Sequence, residues 1–225
     1  MSRMLASVNC LQEARIVQQA GADIIDLKQP ALGALGALDT QTVHNIVHEL
    51  GAENTISATI GDLPMQAELI GNAVQAMAAT GVDYIKIGFF PSQSWAQVIK
   101  KLQPLTQSGL KLIAVLFADQ QPDLTTIEQF AKAGFVGVML DTMQKSGGSL
   151  TQVMPLATIQ NFVVSAKQQN LKTGLAGSLR TSDIDLLLPF QPDYLGFRGA
   201  LCVQHQRTGK LDPVATLKIK SQLSA

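Results

Sequence analysis

GADIIDLKQPALGALGA, residues 21–37, begins as a short apolar run, places Asp26 and Lys28 two residues apart, then dissolves into Gly, Ala, Leu and Pro. Alternate residues of a strand face the same side. Asp26 and Lys28 therefore share one face, and Ile25 and Leu27 share the other. An acid and a base at the end of a hydrophobic strand suit a parallel barrel. Its outer, apolar face lies under helices, and its inner face opens at a mouth.

The pattern repeats outward from this stretch. Strand candidates are MLASV (4–8), DIIDL (23–27), TISATI (55–60), YIKIG (84–88), LIAVLF (112–117), GVMLD (137–141), KTGLAG (172–177) and YLGFRG (194–199). Amphipathic segments at 11–20, 40–50, 64–80, 93–107, 124–133, 152–169, 181–188 and 213–222 alternate with them. Alternation of strands and helices indicates parallel βαβ construction. GADIID, GVDYIK and QPDYLG also place Asp23, Asp83 and Asp193 at strand entrances, a faint internal repeat. Eight such units over 225 residues predict a single (β/α)₈ TIM barrel, an α/β fold slightly shorter than the typical ~250 residues. A doubly wound sheet is the alternative, but it normally needs fewer strands. No linker divides residues 1–225, so one domain is expected.

Composition narrows the function classes. Hydrophobic residues make up 46% of the chain and charged residues 15%, which favours an extensive core and argues against disorder. Seventeen basic residues balance 17 acidic ones without a basic tract, so neither nucleic acid nor a membrane surface has electrostatic support as a partner. Cys10 and Cys202 are too few for a disulfide framework and match no metal-ligand spacing. With no apolar leader at the N-terminus and no apolar run of about 18 residues, a soluble, cytoplasmic protein is expected. A homo-oligomer is left open.

Charge gathers where the strands end. Lys86 shares a face with Tyr84 and Gly88, Asp141 with Met139, and Arg198 with Gly196, while Ser57 and Thr59 add small polar groups. Barrel enzymes build their sites at the carboxyl ends of several strands. Internal ion pairs joining the strands are the competing reading, but desolvating several charges costs more than most pairs return. A lysine of ordinary pKa is neutral in only about one molecule in 2,500 at pH 7, and burial or a neighbouring cation raises that fraction. Lys28 and Lys86 could each depress the other, with Asp26 and Asp141 placed to shuttle protons. Schiff-base chemistry on a carbonyl substrate follows from this set.

The last two strands suggest an anion site. LAGSLRTSDI puts Gly177 and Ser178 after strand 7, and FRGALC puts Arg198, Gly199 and Ala200 after strand 8. Loops there commonly bind phosphate through backbone N–H groups and a helix N-terminus. Lys145, in KSGGSL, could add a second anion contact. Other features read as structural. His44 and His48 lack a third ligand and suit a solvated helix face, His205 a polar surface, Trp95 a helix-packing anchor, and Cys202 a buried small residue. Asp62 and Asp119 follow strands 3 and 5 and could line the mouth or cap helices. The small residues of 30–36 would leave room beside Lys28.

Taken together, GADIIDLKQP with LGALGA, SATIGD, DYIKIG, MLDT followed by Lys145, LAGSLRTSDI and GFRGALC resemble the (5-formylfuran-3-yl)methyl phosphate synthase family. These are furan-forming enzymes of methanofuran-type cofactor biosynthesis. The segment after strand 5, LIAVLFADQQPDLTT, looks shorter than in archaeal members. The resemblance implies a barrel that condenses two molecules of glyceraldehyde 3-phosphate, with loss of phosphate and water and without a metal or organic cofactor. It implies that Lys28 forms the Schiff base, that Lys86 is the general acid/base, and that Asp26, Asp141 and Lys145 assist. A methylofuran-type pathway in one-carbon metabolism would be served. A class I aldolase on another sugar phosphate and a non-catalytic phosphometabolite-binding barrel are the alternatives.

Overall fold

The computed structural model describes residues 2–224. Its strands are β1 (Arg3–Val8), β2 (Ile24–Leu27), β3 (Ile56–Thr59), β4 (Tyr84–Phe89), β5 (Leu112–Phe117), β6 (Gly137–Asp141), β7 (Lys172–Leu175) and β8 (Tyr194–Phe197). Each pairs in parallel with the next, and β8 returns to β1, so the sheet is a closed barrel. Closure leaves no free edge, and every strand is covered on its outer side.

The helices are α1 (Leu11–Gln19), α2 (Thr40–Leu50), α3 (Ala67–Ala78), α4 (Trp95–Gln107), α5 (Ile127–Lys132), α6 (Leu150–Val153), α7 (Leu156–Gln168), α8 (Thr181–Leu187) and α9 (Pro213–Ser224). Among the described residues, no helix is long and apolar enough to cross a membrane. The segment expected at 152–169 is divided between α6 and α7. Pro155 disfavours helical backbone at the residue before it, and Met154 is extended (φ −133°, ψ 133°). Strand 7 stops at Leu175 and strand 8 at Phe197, two residues short of the expected ends, because Gly177 and Ser178 turn to positive φ (+109° and +49°) and Gly199 opens a 3₁₀ turn.

The alternation of β2 sorts the side chains as its sequence demands. Ile25 and Leu27 join the main apolar layer between sheet and helices, together with Ile85 and Ile87 of β4. Inside the barrel, Leu5, Ile24 and Tyr194 form a small apolar group. Ala34, Leu35, Val115, Phe117, Met139 and Ala176 form another inner group.

The repeated aspartates sit at the amino-terminal rim. Asp23 accepts the backbone N–H of Met4, Asp83 that of Ile56, and Asp193 that of Thr173, at 2.7, 2.8 and 2.7 Å. Each therefore ties the start of an even strand to the first residues of the odd strand before it. The Asp repeat is a device of barrel closure, remote from the chemistry of the mouth.

Two other aspartates organise the mouth. Asp62, after β3, accepts the N–H groups of Ala34 and Leu35, both at 2.7 Å. Asp119, after β5, accepts those of Met143 and Gln144, also at 2.7 Å. Neither caps a helix; each pins the loop of a neighbouring βα unit. Gly33 has φ +118°, and a Cβ there would lie 2.0 Å from the Asp62 carboxylate, so this clasp requires glycine. The loop does not leave open space as its composition suggested. A Cβ on Gly88 would meet Leu35 at 2.9 Å, which shows how closely the Leu35 side chain fills the β4 side of the mouth.

Candidate active site

Lys28 lies one residue past β2, but its N–H still donates to Val8 O at 3.0 Å. The ladder thus continues far enough to keep Lys28 on the inner face with Asp26. Lys86 reaches the same space from β4, and Asp141 from the end of β6. All four side chains are buried. The structure thus brings together four charged groups from strands far apart in sequence, and Lys145 joins them from the loop after β6.

The two lysines have different surroundings. Lys86 Nζ is 2.6 Å from Asp26 Oδ1, and that carboxylate also accepts the hydroxyls of Ser7 and Ser57, each at 2.7 Å. Burial alone would raise the Asp26 pKa, but Lys86 and Lys28, with hydrogen bonds from Lys86 and Ser57, hold it below the usual carboxylate value. Among the described residues, Lys28 Nζ has only the carbonyl oxygen of Ala34 at 3.4 Å and Asp141 Oδ2 at 4.0 Å. Burial pushes its pKa from 10.5 down to about 8; Asp141 opposes that shift, and the charges of Lys145 and Lys86 add to it. At pH 7 about one Lys28 in ten is then a neutral amine.

Asp141 is held more firmly than Lys28. Its Oδ1 accepts the N–H of Thr142 at 2.7 Å and lies 2.5 Å from Lys145 Nζ. Burial again acts to raise its pKa, and Lys145 and Lys28 outweigh it, so Asp141 stays ionised. The arrangement comprises two tight lysine–carboxylate pairs with one loosely held lysine between them. A loosely held amine is suited to attack a carbonyl, and the pairs are suited to deliver and remove protons.

These groups face a cavity of about 330 Å³ at the carboxyl end of the barrel. That volume lies at the small end of the ~300–1,000 Å³ typical of ligand pockets. Its wall includes Lys28, Lys86, Lys145, Arg180 and Arg207, with Asp141 as the lining carboxylate among the described residues. The surplus of positive charge favours an anionic occupant.

Gly177, Ser178 and Gly199 line the same cavity. The N–H groups of Gly177, Ser178, Gly199 and Ala200 donate to no protein acceptor among the described residues. The Ala200 side chain packs into the main apolar layer, which leaves its N–H as the group it can offer. A Cβ on Gly177 would approach Thr142 N to 3.0 Å, so glycine permits this close crossing of loops.

Arg198 also lines the cavity, but its side-chain donors are taken within the protein. Its Nε donates to Arg207 O at 2.7 Å, Nη1 to Ser7 O and Glu13 Oε2 at 3.2 and 2.5 Å, and Nη2 to Glu13 Oε1 and Gly209 O at 3.2 and 3.0 Å. A guanidinium has five N–H donors, and these bonds use all of them. Arg198 braces the end of β8 against α1 and has no donor to spare for an anion.

Several participants carried no local signal. Ser7 sits in an apolar strand, yet its register partner is Asp26. Arg207 lies in the polar stretch QHQRTG, yet its guanidinium donates to Pro30 O at 2.7 Å and Gly33 O at 2.8 Å across the mouth. His205, expected at the surface, is exposed and also borders the cavity. Elsewhere, Trp95 donates to Phe90 O at 2.7 Å and packs edge-on against Phe89, Cys202 is buried, and His44 and His48 are exposed on α2.

Solved structures share this architecture. A 3-hexulose-6-phosphate synthase aligns with a TM-score of 0.71 at 14% identity, covering 98% of this chain and 99% of that one. The phosphoribosyl anthranilate isomerase of Thermus thermophilus aligns at 0.68 and 13%, covering 99% and 98%. At such identities the likeness is one of fold.

Sequence relatives are more informative. A protein of Methylorubrum extorquens, provisionally named a (5-formylfuran-3-yl)methyl phosphate synthase, is 41% identical over 210 residues, covering 93% of this chain and 86% of its own. The (5-formylfuran-3-yl)methyl phosphate synthase of Methanosarcina acetivorans is 31% identical over 217 residues, covering 92% and 93%. That of Methanothermobacter thermautotrophicus is 29% identical over 237 aligned positions, covering both chains completely. The family model for 4-HFC-P synthase matches residues 4–220, and the chain belongs to that family.

Proposed function

We propose that this protein condenses two molecules of glyceraldehyde 3-phosphate into (5-formylfuran-3-yl)methyl phosphate through a Schiff base on Lys28. The observation that carries the reading is the state of Lys28. It is a buried amine with its pKa lowered to about 8, held 4.0 Å from its nearest carboxylate and facing a cation-rich cavity. A purely structural lysine would be expected to have the short pairing of Lys86. Membership of the 4-HFC-P synthase family supports the product.

In this reading the neutral Lys28 amine adds to the carbonyl of one triose phosphate, water leaves, and the protonated imine becomes an electron sink for carbon–carbon bond formation. Protons must move repeatedly as the ring closes and eliminates. Lys86, coupled to Asp26, and Lys145, coupled to Asp141, serve as the proton carriers. Overall, two trioses yield the furan phosphate, one inorganic phosphate and two waters, with no external oxidant or reductant. The free N–H groups around Gly177–Ser178 and Gly199–Ala200 would hold one phosphate group, and Lys145 would contact another. The reaction class is carbon–oxygen lysis coupled to an aldol-type step.

The test is incubation with glyceraldehyde 3-phosphate. Release of inorganic phosphate together with a furan-like ultraviolet absorbance is expected, and borohydride should fix the substrate on Lys28. Reversible aldol products without phosphate release would instead identify a simple aldolase. An unmodified Lys28 under borohydride would eliminate the Schiff base.

A further inference from the structure

With Arg198 fully committed, the anion site after strands 7 and 8 needs another cation. We infer that Arg180 grips the substrate phosphate there and sets the preference for a phosphorylated over an unphosphorylated aldehyde. The inference rests on the reading of this cavity as a site for phosphorylated substrates.

Arg180 follows Leu179 after the Gly177–Ser178 turn and directly precedes α8. Its backbone is immobilised, because its N–H donates to Asp183 Oδ2 at 2.7 Å. Buried Asp183 is itself held by the hydroxyls of Ser149, at 3.0 Å, and Thr151. The side chain forms part of the cavity wall. Its Nη1 is buried and has no hydrogen-bond partner among the described residues. A buried donor left unsatisfied is costly, and more so when the group is charged, so an unfilled guanidinium nitrogen points to a missing acceptor.

Position identifies the acceptor. Arg180 Nη1 lies 3.6 Å from the point a Cβ on Gly199 would occupy, directly against the turn whose Gly199 and Ala200 N–H groups are unbonded. The Gly177–Ser178 turn lies one residue before Arg180 along the chain, separated from it by Leu179. A guanidinium converging with backbone donors from two loops matches the several oxygens of a phosphomonoester dianion. The contrast with Arg198 is chemical: one arginine has every donor used, and the other has a buried nitrogen unused.

The experiment compares the unmodified protein with Arg180→Gln, in two measurements. Calorimetric binding of inorganic phosphate reads the anion site without any imine chemistry. Borohydride trapping on Lys28 then compares glyceraldehyde 3-phosphate with glyceraldehyde. Arg180→Gln is expected to weaken phosphate binding about ten- to hundredfold, the range for a hydrogen bond to a charged group. Trapping of glyceraldehyde 3-phosphate should need correspondingly more substrate, while trapping of glyceraldehyde stays unchanged. The melting temperature should hold, because Nη1 makes no bond within the described protein.

Phosphate affinity equal to that of the unmodified protein would overturn the inference. So would equal loss of trapping with both aldehydes, which would mark a general effect on the cavity. If the unmodified protein binds phosphate through Arg180 but traps neither aldehyde, the imine reading fails and the anion site stands. If the unmodified protein binds no phosphate, the Arg180 inference fails, while trapping on Lys28 still decides the imine reading separately.

Discussion

The two ends of this barrel use aspartate in opposite ways. At the amino-terminal rim, Asp23, Asp83 and Asp193 each accept a backbone N–H of the adjacent strand, and Asp23 also meets Lys220 Nζ at 2.7 Å. At the carboxyl-terminal mouth, Asp26 and Asp141 accept from lysines, at 2.6 and 2.5 Å. A backbone donor cannot change charge, and the Asp23–Lys220 pair is open to solvent, its side chains 30% and 26% exposed. The mouth pairs are enclosed, with both carboxylates buried, and among the described residues the further lysine beside them makes no short ion pair. The same residue type thus fastens one end and equips the other.

The comparison breaks most sharply at Lys28. Lys28→Ala should lower furan-phosphate formation on the order of a thousandfold or more, as loss of a covalent nucleophile does. Stability should hold or rise, since Asp141 keeps Lys145 at 2.5 Å and a poorly paired buried ammonium is removed. Equal loss of melting temperature and turnover would return Lys28 to a structural role.

Lys86 should behave differently. Lys86→Met leaves buried Asp26 without its 2.6 Å partner, and breaking such a pair costs about 3–5 kcal/mol. Chemical denaturation should therefore show a large drop in unfolding free energy, in contrast to Lys28→Ala. Matching stabilities for the two variants would erase the distinction between the lysines.

At the lower rim, Asp83→Ala strands the Ile56 N–H and should cost about 1–3 kcal/mol. Turnover per folded molecule should not change at 25 °C. A selective fall in turnover would tie the lower rim to the chemistry after all.

The smallest effect is in pH. Borohydride trapping on Lys28 should rise about tenfold between pH 7 and pH 9, following deprotonation near pH 8. A rise centred above pH 10 would show an unshifted lysine. Stability carries the matching sign. The folded-state pKa lies below the unfolded value of 10.5, so below about pH 8 the burial penalty is fully present. Between those values the unfolded state binds more protons, and Lys28 makes stability rise with pH. Lys28→Ala should lose that rise.

Local chemistry made much of the barrel legible in advance. The two-residue alternation in DIIDLK divides Ile25 and Leu27 from Asp26 and Lys28 whatever the neighbours are, because the pleat itself alternates. The same rule located Lys86 and Asp141. It located Arg198 as well but not its partners, since a face rule gives direction and not partner. Glu13, which occupies Arg198, lies 185 residues away in sequence. Asp62 and Asp119 were legible as loop acids, but the N–H groups they hold belong to other βα units. Pro155 was visible, and its division of the 152–169 segment could have been read from the chain alone.

The sequence by itself determined the order of strands and helices, the inward face of each strand, and the presence of acid–base pairs at strand ends. These follow from short-range geometry, which acts within a few residues. Only the tertiary structure decided that Lys86 is paired and Lys28 nearly free, that Arg198 is occupied while Arg180 keeps an unused nitrogen, and that Arg207 spans the mouth. Those outcomes depend on which distant groups share a low-dielectric interior. Closing the barrel sets the distances, and the distances set the charges.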